Sequence, residues 1–323
     1  MSDVAVDVHL SPDYLAETLR SDVYAGLLAT PKTLPPKWFY DAHGSELFER
    51  ITELPEYYPT CTERRILTDR SAEIAELTGA RSLVELGSGS SEKTRLLLDA
   101  LHARGLRQFV PVDVSATALR ESAAAIAAEY PGLTVHGVVG DFTEHLDLVP
   151  GARPRLVAFL GGTIGNLVPG ERAKFLSGLR SVLYEGEWLL LGTDLVKDPD
   201  VLVRAYDDSA GVTAEFNRNV LRVLNRELDA DFDVPAFQHV AVWDAESEWI
   251  EMRLRATRAM LVRLAALDLD IRFAQGEELR TEVSAKFRRA GVTEELAATG
   301  FELVEWFTDP EERFALSLAR AGS

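Results

Sequence analysis

The chain has 323 residues, 46% of them hydrophobic, which is enough for a substantial core in one large domain or two. Its 34 Lys and Arg stand against 52 Asp and Glu, a formal net charge of −18 that argues against a phosphate backbone or an anionic bilayer as partner. Cys61 is the single cysteine, so an internal disulfide and a thiolate metal cluster are excluded.

The first residues, MSDVAVDVHLSPDY, carry acids where a secretory signal would have a basic start and an apolar run, and no later segment approaches about 18 consecutive apolar residues. A cytoplasmic protein that neither spans a membrane nor binds nucleic acid is expected, with a monomer as the default for so acidic a surface. His9, His43, His102, His136, His145 and His239 lie far apart in sequence without the close pairing of zinc motifs, so no metal is expected.

Residues 1 to about 60 read as helical, ending in the aromatic, proline-punctuated stretch PPKWFYDAHGSELFERITELPEYYPT. From residue 82, β-rich runs alternate with helical patterns: SLVELGS, SEKTRLLLDALHARG, FVPVDV, SATALRESAAAIAAEY, LTVHGVVGD, RLVAFLGG, GERAKFLSGLRSVL and EWLLLGTDL. This alternation predicts a parallel sheet with helices on both faces. Residues from about 196 to 285 are far longer than an ordinary crossover and predict a separate lobe. The closing stretch reads as a helix, a strand FELVEWFT, a turn at Asp309–Pro310 and a strand RFALSLAR, which must run antiparallel. The expected division is a sheet domain over residues 61–195 and 286–323 and a substrate-binding lobe over 1–60 and 196–285.

Ligands of such sheets bind beyond the carboxyl ends of the strands. SLVELGSGSSEKT places Gly87 and Gly89 there, but Glu92 stands where the dinucleotide fingerprint needs its third glycine, and an acid at a helix start repels phosphates. A donor without phosphate, S-adenosyl-L-methionine, suits the turn better. The glycine N–H groups and Lys93 would take its amino-acid tail, Asp113 its ribose diol, and Asp141 with Phe142 its adenine. Each element alone is weak, since an Asp at a strand end is also a common helix cap. In this order, and with the antiparallel hairpin, they point to a methyltransferase and away from a dehydrogenase.

The run PPKWFYDAHGSELFERITELPEYYPT, with VELGSGSSEKT, FLGGTIGN, LLLGTDLVKD, AYDD, GVTAEFNRNVL and TEVSAKF, closely resembles the histidine-specific N-alpha-methyltransferases of actinobacterial ergothioneine biosynthesis. The resemblance extends from about residue 12 to the end. It implies an α/β fold, the class I methyltransferase Rossmann-like sheet with an antiparallel C-terminal hairpin, plus a second substrate-binding lobe. It also implies three successive methyl transfers to the α-amino nitrogen of L-histidine, passing through its methylated intermediates to hercynine, with S-adenosyl-L-methionine as co-substrate and no metal. By that resemblance Tyr40, Gly87, Lys93, Asp113, Asp141 and Phe142 hold the donor. Tyr57, Asn166, Tyr206, Met252, Glu282 and Ser284 hold the amino acid, with Tyr57 and Asn166 at the reacting amine.

The chemistry of that second set is coherent. If TEVSAKF is extended, Glu282 and Ser284 point to one side and can hold both imidazole nitrogens. An amide and phenols can bind an amine and a carboxylate while adding no formal charge beside a sulfonium. Tyr57 or a water would relay the amine proton. Transfer to another amino acid or small amine, and a donor-binding module without turnover, are the alternatives these residue types leave open.

Overall fold

In the computed structural model the described residues are 4–11, 13–89, 91–146 and 150–322. Among them, strands β1 to β14 and α-helices α1 to α9 are numbered along the chain. They fall into two compact units, one of Met1–Ser11, Cys61–Leu195 and Phe287–Ser323, the other of Pro12–Thr60 and Val196–Lys286. The division expected from sequence differs from this one in the first eleven residues and at residue 286.

The first unit is built on an eight-stranded sheet in the order β1-β5-β4-β3-β6-β7-β14-β13. Its strands are β1 (Val4–Val8), β3 (Ser82–Leu86), β4 (Gln108–Asp113), β5 (Thr134–Val139), β6 (Arg155–Phe159), β7 (Trp188–Asp194), β13 (Phe301–Thr308) and β14 (Phe314–Ala321). β3, β6 and β7 are buried along their whole length, as strands covered on both faces must be, and their runs SLVEL, RLVAF and WLLLGTD are accordingly almost continuous in apolar residues. β14 inserts antiparallel between β7 and β13, so the hairpin read from sequence closes this side of the sheet. This is the sheet with an antiparallel C-terminal hairpin that the resemblance leads one to expect.

On the other side, β1 runs parallel to β5 and occupies its hydrogen-bonding edge. The sequence reading assigned these residues to the lobe. An unpaired edge is a liability, and the alternating VAVDV satisfies it, with Asp7 meeting His136 at 2.8 Å.

Helices α3 (Tyr58–Thr78), α4 (Thr94–Ala103), α5 (Ala116–Glu129), α6 (Pro169–Val182) and α9 (Arg289–Ala298) accompany this sheet. In α4 the sequence TRLLLDALHA sets Leu97, Leu98 and Leu101 on one stripe, and all three are buried. Strand order reverses on either side of β3. The glycine turn after β3, Asp113 at the end of β4, Asp141 just past β5 and Gly161 just past β6 therefore lie at the carboxyl ends of neighbouring strands, where a ligand is expected.

The second unit holds α1 (Tyr14–Leu28), α2 (Ala42–Thr52), α7 (Pro199–Tyr206) and α8 (Val212–Glu227) with a four-stranded sheet, β2-β12-β9-β8. Its strands are β2 (Lys32–Thr33), β8 (Phe237–Asp244), β9 (Trp249–Ala256) and β12 (Glu278–Ala285); β10 (Met260–Leu264) and β11 (Leu269–Phe273) form a separate hairpin. α8 begins where Asp208 accepts the N–H groups of Val212 and Thr213, and it buries Phe216, Val220, Leu221 and Leu224. Among the described residues no helix is long and apolar enough to cross a membrane.

Candidate active site

In the sheet unit, Gly87 and Gly89 both take left-handed backbone angles, φ +69° and +48°, which side-chain-bearing residues adopt only under strain. Their N–H groups are not free for a ligand, contrary to the sequence expectation. Gly87 donates to the Val112 carbonyl at 2.9 Å, and Gly89 donates to Asp113 Oδ2 at 3.0 Å. The glycines thus provide clearance: among the described residues, chain neighbours aside, nothing lies within 4 Å of where a Gly89 Cβ would be, and a Gly87 Cβ would meet only the Phe142 ring, at 3.7 Å.

Asp113 serves the turn with one oxygen and accepts from the Ser115 N–H with the other, at 2.9 Å. The helix cap proper is Ser115, so Asp113 is not a cap. Asp141 accepts from the N–H and hydroxyl of Thr143 at 2.8 and 2.6 Å. Phe142 packs edge-on against Phe159 and Phe175, with centroids 5.1 and 5.9 Å away.

Lys93 stands immediately before α4, and its ammonium is already paired, with Glu63 of α3. Glu63 is fully buried, and its other oxygen accepts the Gly161 N–H at 2.8 Å. A second buried acid, Glu85 of β3, accepts from the hydroxyls of Ser91 and Thr94. Those bonds anchor Ser91, a non-glycine residue at φ +52°. Burial pushes the Glu85 carboxyl up to about 7, against the opposing effect of the two hydroxyls and Lys93. Neither acid's role was read from sequence. The acid in SLVELG was visible, but its partners are settled by the path of the chain after the strand.

Asn166 belongs to this unit as well, closing the short helical turn Thr163–Asn166 that follows Gly161 and Gly162, both at positive φ. The other five amino-acid-binding candidates, Tyr57, Tyr206, Met252, Glu282 and Ser284, lie in the second unit together with Tyr40.

A bulge in β12 decides how they are presented. Arg280 is opposite Arg253 of β9, but Glu282 is opposite Met252, so Thr281 is the extra residue. Directly opposed residues share a face. The bulge therefore puts Glu282 and Ser284 on the face of Met252, Ile250 and Leu254, all buried, instead of the face of Arg253 and Glu251. Thr281 is held by its hydroxyl, which donates to Asn217 Oδ1 at 2.6 Å and lies 3.0 Å from the Met252 carbonyl. Asn217 in turn donates to His239 Nδ1 at 2.8 Å, which leaves His239 Nε2 to donate to the Tyr206 carbonyl at 2.8 Å. Burial depresses the His239 pKa, so the ring is neutral.

Tyr206 is buried, and its hydroxyl lies 2.7 Å from Ser284 Oγ. Its ring meets Tyr57 edge-on at 6.4 Å. Tyr40 is half-exposed and packs edge-on against Phe48 and Phe216, centroids 5.5 Å from each. It lies in the same unit as Tyr57, Tyr206, Met252, Glu282 and Ser284, while the other donor candidates sit in the sheet unit. The sequence reading missed Lys286, a buried cation bonded to both Tyr206 and Ser284. The signal was present in TEVSAKF, where Glu282, Ser284 and Lys286 alternate.

Two carboxylates, an ammonium, an aromatic ring and a side-chain-free turn, the groups expected to hold the donor, have the chemistry to suit the parts of S-adenosyl-L-methionine. Among the described residues no cluster of three or more His, Cys, Asp or Glu is arranged to hold a metal ion.

Residues 19–321 match the family described as histidine-specific methyltransferase, SAM-dependent. The chain is 62% identical over 312 residues to the histidine N-alpha-methyltransferase of Mycolicibacterium smegmatis, covering 96% of this chain and 97% of that protein. It is 60% identical to the enzyme of the same name from Mycobacterium tuberculosis, over 98% of this chain and 99% of that one. Ergothioneine biosynthesis protein 1 of Neurospora crassa is 35% identical over 60% of this chain and 23% of its own length. With a match that runs over nearly all of its length, the chain belongs to the family of histidine-specific, SAM-dependent methyltransferases.

Proposed function

We propose that this protein methylates the α-amino nitrogen of L-histidine three times, giving hercynine for ergothioneine biosynthesis. The observation that carries the reading is the full-length identity of about 60% to two histidine N-alpha-methyltransferases. The Glu282 and Ser284 pair, set beside Met252 by the Thr281 bulge, supplies its chemical rationale. S-adenosyl-L-methionine brings an electrophilic methyl group on a sulfonium. Gly87, Lys93, Asp113, Asp141 and Phe142 would hold it, with Tyr40 as a further contact.

In each round the nitrogen lone pair forms a bond to the methyl carbon as the carbon–sulfur bond breaks. A protonated amine has no lone pair, so the substrate must arrive neutral or lose its proton in the site. Tyr57 and Asn166 are the groups assigned to the amine, with Tyr57 or a water as the relay. The first and second products must each lose a proton before the next round, whereas the third is a fixed cation. Aromatic faces such as Tyr57 and Tyr206 favour that cation. Positioning of the amine supplies most of the rate.

At the other end Glu282 accepts from an imidazole N–H, and Ser284 serves the second nitrogen. An amino acid without the ring would leave both polar groups unpaired, which is a strong basis for rejection. A monomer acting in the cytoplasm completes the proposal, in keeping with a single cysteine and an acidic chain. The test is incubation with histidine and S-adenosyl-L-methionine, followed by fragmentation of the product. Three methyl groups on the α-nitrogen are expected; methyl groups on the ring, or unmodified histidine, would overturn the reading.

A further inference from the structure

We propose that Asn219 is a positioning residue for Tyr40: with Asp41 it ties down the main chain on both sides of that tyrosine, so that the ring meets the donor from a fixed place. The proposal rests on the assignment of Tyr40 to S-adenosyl-L-methionine in the reading above.

Tyr40 stands between the short helical turn Pro36–Phe39 and α2, and it is 50% exposed. Its two neighbours are held. Phe39 is buried with its ring 4.7 Å from that of Phe216, and its carbonyl oxygen lies 1.7 Å from where a Gly44 Cβ would be. Only a residue without a side chain allows that approach. On the other side, Asp41 caps α2 by accepting the Gly44 N–H with Oδ1 at 2.8 Å, and its Oδ2 meets Arg226 of α8 at 2.9 Å.

Asn219 of α8 joins the two sides. It is 1% exposed, and its Nδ2 donates to Asp41 Oδ1 at 2.8 Å and to the Phe39 carbonyl at 3.4 Å. Both acceptors lack hydrogens, so the amide can present only its nitrogen here and its orientation is determined. Burying an amide costs free energy unless it is bonded, and both of these bonds go to the residues flanking Tyr40. Against the desolvation that opposes them, the bonds from Gly44, Asn219 and Arg226 hold the Asp41 carboxyl below the usual carboxylate range. The acceptor therefore stays charged at neutral pH.

Asn217, two residues earlier and about 200° round the helix, braces the Thr281 bulge. The helix that the sequence shows as GVTAEFNRNVL thus supports the bulge with one asparagine and the Tyr40 segment with another. The ring itself is held lightly, by the edge-on contacts with Phe48 and Phe216. On a tethered main chain it loses little freedom when a ligand arrives, whereas ordering one loose side chain weakens binding by about twofold to tenfold.

The experiment is titration calorimetry of S-adenosylhomocysteine into the full-length protein and its variants. Tyr40→Ala should weaken binding about tenfold, and Asn219→Ala about threefold to tenfold. In the Tyr40→Ala background Asn219→Ala should add less than about twofold, because the residue it positions is gone. A general structural role would give the same added loss with or without Tyr40. In turnover the KM for S-adenosyl-L-methionine should rise in Asn219→Ala while kcat changes less than about twofold. Asp41→Ser keeps a good cap for α2 but withdraws the carboxylate from Asn219; it should repeat the pattern, and it decides the matter if Asn219→Ala fails to fold. An undiminished loss in the Tyr40→Ala background, a loss confined to kcat, wild-type affinity in both folded single variants, or unchanged affinity in Tyr40→Ala overturns the proposal. A wild type that binds S-adenosylhomocysteine but leaves histidine unmethylated overturns the functional reading instead.

Discussion

Thr281 Oγ1 donates to Asn217 Oδ1 at 2.6 Å, and both groups are fully buried. This bond pins the extra residue of the β12 bulge, which turns Glu282 and Ser284 toward Met252. Thr281→Val keeps the shape and removes the hydroxyl, leaving a buried amide oxygen unsatisfied at a cost of about 1–3 kcal/mol. Histidine affinity should fall about tenfold to a hundredfold on this scale, with affinity for S-adenosylhomocysteine changed less than about twofold. Calorimetry with each ligand checks the split; equal losses would mean that the bulge serves general stability alone.

Lys93 and Glu63 form the corresponding pair in the sheet unit. Lys93→Met strands a fully buried carboxylate and should cost about 3–5 kcal/mol of stability. Glu63→Gln in the same chain restores neutrality and can still accept from Gly161, so thermal stability should largely return in the double variant. Donor affinity should stay low in both, because the cation proposed for the donor carboxylate is gone. Melting temperatures and donor titrations separate the two effects.

Gly192 has no room for a side chain. A Cβ there would lie 2.4 Å from Glu63 Oε1 and 3.3 Å from Phe314 Cε1. Because Glu63 is fixed by both Gly161 and Lys93, Gly192→Ala should displace that carboxylate, costing about 1–3 kcal/mol and weakening the proposed donor site. Denaturant unfolding beside donor titration measures both.

Glu85 makes stability depend on pH with a definite sign. Its folded pKa, about 7, lies above the ordinary 4.5, so the folded state holds the proton more tightly. That contribution is full below about 4.5 and is lost as pH rises through about 7, for a total of roughly 3 kcal/mol. Relative to Glu85→Gln, the wild type should therefore lose stability steadily between pH 5 and about 7.5. Parallel unfolding curves for the two proteins across that range would contradict the raised value.

Glu282→Ala and Asp113→Ala should have opposite selectivity. The first removes the proposed acceptor for the imidazole N–H and should weaken histidine about tenfold to a hundredfold, leaving the donor nearly unaffected. The second removes the acceptor of Gly89 and the proposed ribose contact, and should weaken the donor by a comparable factor. Histidine and S-adenosylhomocysteine titrations on both variants form the check, and a common loss of both ligands in either would count against the assignments.

The parallel sheet, its antiparallel closing hairpin and the glycine turn were legible because each depends on local pattern. Buried strands such as WLLLGTD are apolar throughout, left-handed turns need glycine, and FELVEWFT and RFALSLAR are joined too closely to be parallel. β1 was not legible, since five residues of alternating VAVDV gain their meaning only from the open edge of β5. The use of the turn's N–H groups was also misjudged, because their acceptors, the Val112 carbonyl and Asp113, lie on the next strand.

Residue spacing by itself determined that Glu282, Ser284 and Lys286 would alternate along one side of an extended segment. It did not determine which side, because a single unpaired residue reverses every side chain beyond it. That choice was made by the antiparallel register with β9 and by Asn217, a residue 64 positions away that holds Thr281 out of the ladder. Tertiary structure decided the partners of the buried charges in the same way. An ion taken out of water must find its counter-charge or hydrogen bonds wherever the folded chain supplies them, as Lys93 does at Glu63 and Lys286 at Tyr206 and Ser284.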